Sequence, residues 1–266
     1  MRIFGISDLH VDFAPNLEQV ASLPVGPHRA DTLVVAGDIC HRLDRAEEAL
    51  GLLADRFEQV FLVPGNHDLW VKSGEPAPEA AEPESSLDRL EALRRLAGRL
   101  GIRMEPGPAG TDWWVLPLHG WYEPGFGAEG APEVDMSRHW SDPNRCRWPP
   151  EQSTDEARCA WFEQLNRPAL RTPPGRRVLS FSHFVPRPEL IPPLEGLRFK
   201  ELPRVSGTLR LDRQLRAAGS RLHLFGHTHI AWDAVIDGVR YVQRPLAYPH
   251  ERARRGETGI ELVRLV

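Results

Sequence analysis

Lysine is almost missing from this 266-residue chain: it stands only at Lys72 and Lys200, so the 33 basic residues are nearly all arginine. A coding bias toward Arg accounts for this more simply than a need for guanidinium forks. Positive charge is not in excess either. The formal net charge of −4 argues against a broad basic surface and against a nucleic-acid partner. Cysteine is scarce, and Cys40, Cys146 and Cys159 are odd in number and without paired spacing, which favours free thiols in a reducing compartment over a disulfide framework. No apolar run approaches the roughly 18 residues that a membrane span needs, so no membrane partner is expected. The opening Met1–Asp8 reaches a carboxylate too early for a secretory leader. The expectation is a cytoplasmic protein.

What remains is ordinary for a soluble globular chain, with 41% hydrophobic and 26% charged residues, enough to bury a sizeable core as one α/β domain over 1–266. The chain alternates strands and helices. Arg2–Ser7, Asp31–Ala36, Val60–Val63, Trp113–Leu118, Arg177–Phe181 and Arg221–Phe225 read as strands. Asp237-Gly238, flanked by Ala234–Ile236 and Val239–Val242, is a two-residue hairpin signal, and a last strand is expected over Gly259–Val266. Helices are expected over Leu17–Leu23, from an Asp44 N-cap through Phe57, over Ser86–Leu100 with a leucine stripe, over Thr154–Leu165 and over Leu209–Ala218. Three stretches have little pattern: 70–85, of which 73–85 reads as a mobile Pro/Ala/Glu-rich loop; 120–150, aromatic and irregular; and 186–206, interrupted by proline.

Five of the strands end in residues of metal-ligand type. They close with Asp8-Leu9-His10, Gly37-Asp38, Gly65-Asn66-His67-Asp68, Ser182-His183 and Gly226-His227-Thr228-His229. Ligands of open α/β sheets bind at the carboxyl ends of strands, so Asp8, His10, Asp38, Asn66, His183, His227 and His229 are candidates for one centre. Any one of them alone would be turn chemistry; the ordered set is not. Mixed oxygen and imidazole donors suit Mn, Fe, Zn or Ni, with Mn favoured, and Asp38 could bridge two such ions. Two ions roughly 3.5–4 Å apart form a clamp for phosphoryl hydrolysis.

The ordered set resembles that of the calcineurin-like metallophosphoesterase superfamily, matched block by block from residue 8 to residue 229. The resemblance implies a two-sheet β-sandwich flanked by helices, a four-layer αββα arrangement. It implies Asp8, His10 and His229 on one divalent ion, Asn66, His183 and His227 on another, and Asp38 bridging. A metal-bridged hydroxide would attack phosphorus in line. His67 would face the scissile phosphate and assist the leaving oxygen, with Asp68 orienting its ring. The protein Ser/Thr phosphatases of the superfamily carry Gly-Asp-x-x-Asp-Arg-Gly and Gly-Asn-His-Glu. Gly37-Asp38-Ile39-Cys40-His41-Arg42-Leu43 and Gly65-Asn66-His67-Asp68 depart from both, which points to the bacterial-type phosphodiesterases and small-molecule phosphatases.

The expected activity is therefore a binuclear phosphoesterase acting on a small phosphoester, a diester or a small-molecule or nucleotide monoester. A catalytically inactive metal-binding scaffold and a nuclease are the alternatives. His119, His41 and His223 read as ordinary residues, His119 being the best of the three for a substrate contact; His250 is either a surface-loop residue or one that approaches the site, and Cys40, His41 and the 120–150 loop are given no role. Oligomeric state is not read from the sequence.

Overall fold

The computed structural model describes residues 1–71 and 85–266; the expected loop at 73–85 lies, apart from Ser85, outside the described residues. The first sheet is built from β1 (Ile3–Ile6), β2 (Thr32–Ala36) and β3 (Gln59–Val63), all parallel, with the short β10 (Val263–Arg264) antiparallel on the β1 edge. The second is larger. It runs β4 (Gly107–Ala109), β5 (Trp113–Pro117), β6 (Arg177–Phe181), β7 (Ser220–Phe225), β9 (Val239–Gln243) and β8 (Trp232–Ile236). Its four central strands are parallel, and β4 and β8 close its edges antiparallel. The hairpin from β8 to β9 turns on Asp237 and Gly238 at φ +48° and +78°, the two left-handed positions that a type I′ turn requires.

Both faces of the central strands are covered, which is why they read as unbroken apolar runs rather than alternating ones. Between the sheets lie Ile3, Val34, Phe61 and Val63 from the first, packed with Val115, Leu179, Phe181 and Leu224 from the second. Contact there is close: a Cβ on Gly5 would stand 2.9 Å from the Leu224 side chain. The outer face of the first sheet is covered by α1 (Ala14–Ala21), α2 (Leu43–Ala54) and α3 (Ser86–Arg99). The second is covered by α6 (Asp155–Asn166) and α7 (Leu209–Ala217). The result is the four-layer αββα architecture.

Boundaries differ from expectation in instructive ways. The helix α2 begins at Leu43 behind Arg42, so Asp44 sits in its first turn rather than at the cap, where it still faces the positive end of the helix dipole. Ser85 caps α3 and exchanges bonds with Asp88 in a capping box. The last strand shortens to two residues, paired with Phe4 and Gly5 of β1. Irregular residues 120–150 contain two single-turn helices, α4 (Met136–His139) and α5 (Asp142–Arg145), and α8 (Pro249–Arg255) forms where no helix was expected. No helix among the described residues is long and apolar enough to cross a membrane.

Leu224 is fully buried between the sheets. Leu224→Ala should cost about 2–5 kcal/mol in denaturant unfolding; a loss within error of zero would mean that the two sheets do not share a packed interface.

Candidate metal centre

The seven predicted donors meet where the two sheets join, beyond the carboxyl ends of β1, β2, β3, β6 and β7. Parallel pairing continues past the strands: Asp8 N donates to Gly37 O at 3.0 Å, His10 N to Asp38 O at 2.9 Å and Gly226 N to His183 O at 2.9 Å. To turn side chains inward while the backbone stays paired, Asp8, His10, Asp38, His227 and His229 take left-handed φ between +43° and +78°. Such backbone is uncommon outside glycine and gathers at functional sites. Glycine supplies the clearance. A Cβ on Gly65 would stand 2.1 Å from Asp38 Oδ1, and one on Gly37 would stand 2.6 Å from the His183 ring.

Asp8, His10, Asp38 and His229 each offer an atom, all within 4.8 Å of one another. His10 Nε2 lies 2.9 Å from His229 Nε2, and Asp8 Oδ1 lies 3.6 Å from His229 Nε2. Beside this group, Asn66 Oδ1, His183 Nε2 and His227 Nδ1 form a triangle with edges of 3.0–3.1 Å. Asp38 Oδ2 stands between the two, 3.7 Å from His10 Nε2 and 3.5 Å from His183 Nε2.

The groups outside the centre decide what faces into it. His183 Nδ1 donates to Ala36 O at 2.9 Å, His227 Nε2 to Val205 O at 2.7 Å and His229 Nδ1 to Glu251 Oε2 at 2.7 Å. Each imidazole thus spends its proton outward and turns a lone pair inward. Lone pairs facing each other at these distances repel unless a cation lies among them. Cis donors about 2.1 Å from one divalent ion stand about 3.0 Å apart, which is the observed spacing, so the donor set fits such ions. Burial pushes His10 and His183 well below the usual histidine range and His227 down to about 3, keeping them neutral. Burial also raises Asp8 and Asp38, for Asp38 with the added repulsion of Asp68 and Asp8, a penalty that a bound cation relieves. His229 is the exception. Burial opposes its charge, but the Glu251 hydrogen bond and the Asp8 carboxylate outweigh that and raise it.

His67 lies beside this centre, its Nε2 3.9 Å from Asp38 Oδ2, and burial lowers it to about 3. Asp68 does not orient its ring. The Asp68 carboxylate accepts from the backbone N–H of Ile39, Cys40 and Gly65 at 2.8–3.0 Å. It therefore staples the turn after β2 to the turn after β3, because the single-turn helix at 67–69 directs consecutive side chains apart. The imidazole is held instead by Trp70, stacked on it with ring centroids 3.7 Å apart, and by the Tyr248 hydroxyl 3.4 Å from Nε2. Trp70, Tyr248 and Glu251 were missed in the sequence. Glu251 had a signal: Tyr248-Pro249-His250-Glu251 puts proline at the first position of α8 and glutamate at the third, a helix-start pattern.

The other candidates separate cleanly. His119 is turned toward Phe162 of α6, and His223 lies between the Ser180 and Ser182 hydroxyls inside the sheet. His250 is exposed and stacks on Tyr248. His41 pairs with Asp12, which also accepts from the Cys40 thiol at 2.9 Å.

Comparison with known proteins bears on the family and the fold. The family model for calcineurin-like phosphoesterases matches residues 1–231. The acyl-carrier-protein phosphodiesterase PptH of Mycobacterium tuberculosis is 28% identical over 268 residues, 95% of this chain and 80% of the relative. The crystal structure of phosphopantetheinyl hydrolase (PptH) from Mycobacterium tuberculosis superposes with a TM-score of 0.81 at 25% identity, covering 100% of this chain and 95% of that one.

Two variants test the centre. Gly65→Ala should carry less metal than the parent protein by elemental analysis, with unchanged far-UV circular dichroism; full metal content would separate Asp38 from metal binding. Glu251→Gln should weaken metal binding about 10–100-fold, and an unchanged titration would show that His229 needs no outer partner.

Proposed function

Because the chain belongs to the calcineurin-like phosphoesterase family, whose members hydrolyse phosphoric ester bonds, we propose that it is a two-ion phosphodiesterase formed by a single domain over residues 1–266. The observation that carries this reading is the pair of donor groups, each with imidazole lone pairs turned inward, joined at Asp38 Oδ2. Asp8, His10 and His229 would hold one ion, Asn66, His183 and His227 the other, and Asp38 both. Bound there, two divalent ions supply a water ionised near neutral pH and positive charge for the non-bridging phosphate oxygens. The donor chemistry accommodates Mn, Fe, Zn or Ni, and Mn is the ion we favour.

The chain's own residues do the rest. His67, neutral at pH 7 because it is buried, holds Nε2 3.9 Å from Asp38 Oδ2, where an N–H can donate to a phosphate oxygen or to the departing ester oxygen. Trp70 fixes the plane of that ring, and Tyr248 adds a hydroxyl beside it. Asp68 acts at one remove by joining the two turns that carry Asp38 and Asn66.

The printed activity of the mycobacterial relative bears on the substrate. That protein is an acyl-carrier-protein phosphodiesterase, so a phosphodiester joining a pantetheine-type arm to a carrier protein is the substrate we favour over a free small phosphoester. The match over 95% of this chain supports that choice.

The test is hydrolysis of an aryl phosphodiester, the matching monoester and a holo-acyl carrier protein, each with Mn2+ and after chelation. Diester turnover and release of the arm from the carrier, seen by mass spectrometry, should both require metal. In His67→Ala turnover should fall about 100- to 10,000-fold with metal content retained. Metal-independent turnover would refute the two-ion reading, and an intact carrier beside rapid diester cleavage would refute the substrate.

A further inference from the structure

Residues 120–150 reach the centre through the Tyr122 and Trp140 rings, 6.4 and 5.7 Å from the His227 ring between centroids, and by hydrogen bonding through the Asp142 carboxylate. Asp142, at the start of the single-turn α5, is 1% exposed. Its Oδ1 accepts from the Asn66 side-chain amide at 2.9 Å and from the Trp70 indole N–H at 2.7 Å, and its Oδ2 from the Trp140 indole N–H at 2.7 Å. The Tyr122 hydroxyl donates to it as well. Burial raises this carboxyl, and the four donors work against that rise. An apolar side chain of similar volume would fill the space without the desolvation cost of a buried charge, so packing alone does not account for a carboxylate here.

The donors are informative because two of them belong to the site. An asparagine amide has one end that can ligate a cation and one that cannot, and the two differ by a half-turn of the side chain. An ionised carboxylate only accepts, so Asp142 holds Nδ2 and leaves Oδ1 toward His183 Nε2 at 3.1 Å and His227 Nδ1 at 3.0 Å. The Trp70 indole, anchored by the same oxygen, is the ring on which His67 stacks at an interplanar angle of 27°. The carboxylate is itself held in place. Val71 N donates to Arg145 O at 3.0 Å and Ser86 N to Arg147 O at 2.7 Å, tying the end of α5 and the residues just after it to the chain.

We infer that Asp142 is a positioning residue for both halves of the site, setting the Asn66 amide toward the second ion and the Trp70 plane that orients His67. This rests on the reading of Asn66, His183 and His227 as the second ion's ligands. It also gives the aromatic 120–150 segment a role: it completes the outer bonding of the centre.

The experiment is a Mn2+ titration of the whole chain followed by electron paramagnetic resonance, with Asp142→Asn, Asp142→Ala and Trp140→Phe beside the parent protein and near-UV circular dichroism as the check of folding. The parent should bind two ions and show the spectrum of a coupled pair. Both Asp142 variants should bind the first ion normally and the second about 10–100-fold more weakly, with the spectrum of isolated Mn2+ after one equivalent is added. Trp140→Phe, which leaves the Asn66–Asp142 bond intact, should keep the coupled pair. Second-ion affinity within twofold of the parent in a folded Asp142 variant would overturn the inference. So would an equal loss in Trp140→Phe, which would mark general damage to the loop, or failure of both Asp142 variants to fold, which would make Asp142 a core residue. A parent protein that binds one ion would instead sink the two-ion reading itself.

Discussion

Imidazole offers two nitrogens, and in this protein the choice between them is made from outside the centre. Ala36 O, Val205 O and Glu251 each take one N–H, from His183, His227 and His229. A carbonyl or carboxylate can do this at a fixed place only if its own chain segment is fixed. Ala36 belongs to β2, Val205 to the end of the 186–206 excursion and Glu251 to the first turn of α8. Elements far apart in sequence, and as unlike as a buried strand and a surface turn, must therefore all be in place before the inward lone pairs are.

Placing so many ligands at strand ends has a backbone cost. Five donors hold left-handed φ, and each such residue costs of order 1–3 kcal/mol and persists only where its surroundings over-determine it. The surroundings here do so: the turns after β1, β2 and β3 are cross-bonded, with Asp68 accepting from three backbone N–H groups across two of them. Gly37, Gly65 and Gly226 are the positions where this crowding leaves no room for a side chain. The residue read from sequence as an orienter of His67 proves to be what keeps the strained turns together.

The first layer of this arrangement was legible because it is carried by residue types at strand ends, and strands announce themselves by apolar runs. The gathering of the seven donors at one edge followed from that, and the two-sheet arrangement from the family resemblance. The next layer was not. Trp70, Tyr248, Asp142 and Glu251 act through directions of side chains, and a single tryptophan or aspartate in an irregular stretch carries no periodicity from which a direction can be read. Proline-rich and aromatic composition described residues 120–150 correctly as irregular yet gave no hint that one of them would bond to a donor 76 positions earlier. Asp44 shows the same limit in small: its type was right for a helix start, and its place in the turn was one that only the packing of α2 could fix.

The family pattern ends at residue 231, just past the last of the seven donors, but Glu251 is 22 positions beyond the histidine that it holds. Tyr248 lies in the same stretch, its backbone N–H bound to that carboxylate at 3.0 Å. The motif-bearing portion and the working portion of this chain are thus different lengths. A substitution in the segment after the final histidine pair touches no signature residue, yet it can retune the basicity of one imidazole and the company kept by His67. A change of activity can therefore arise where a motif comparison does not look.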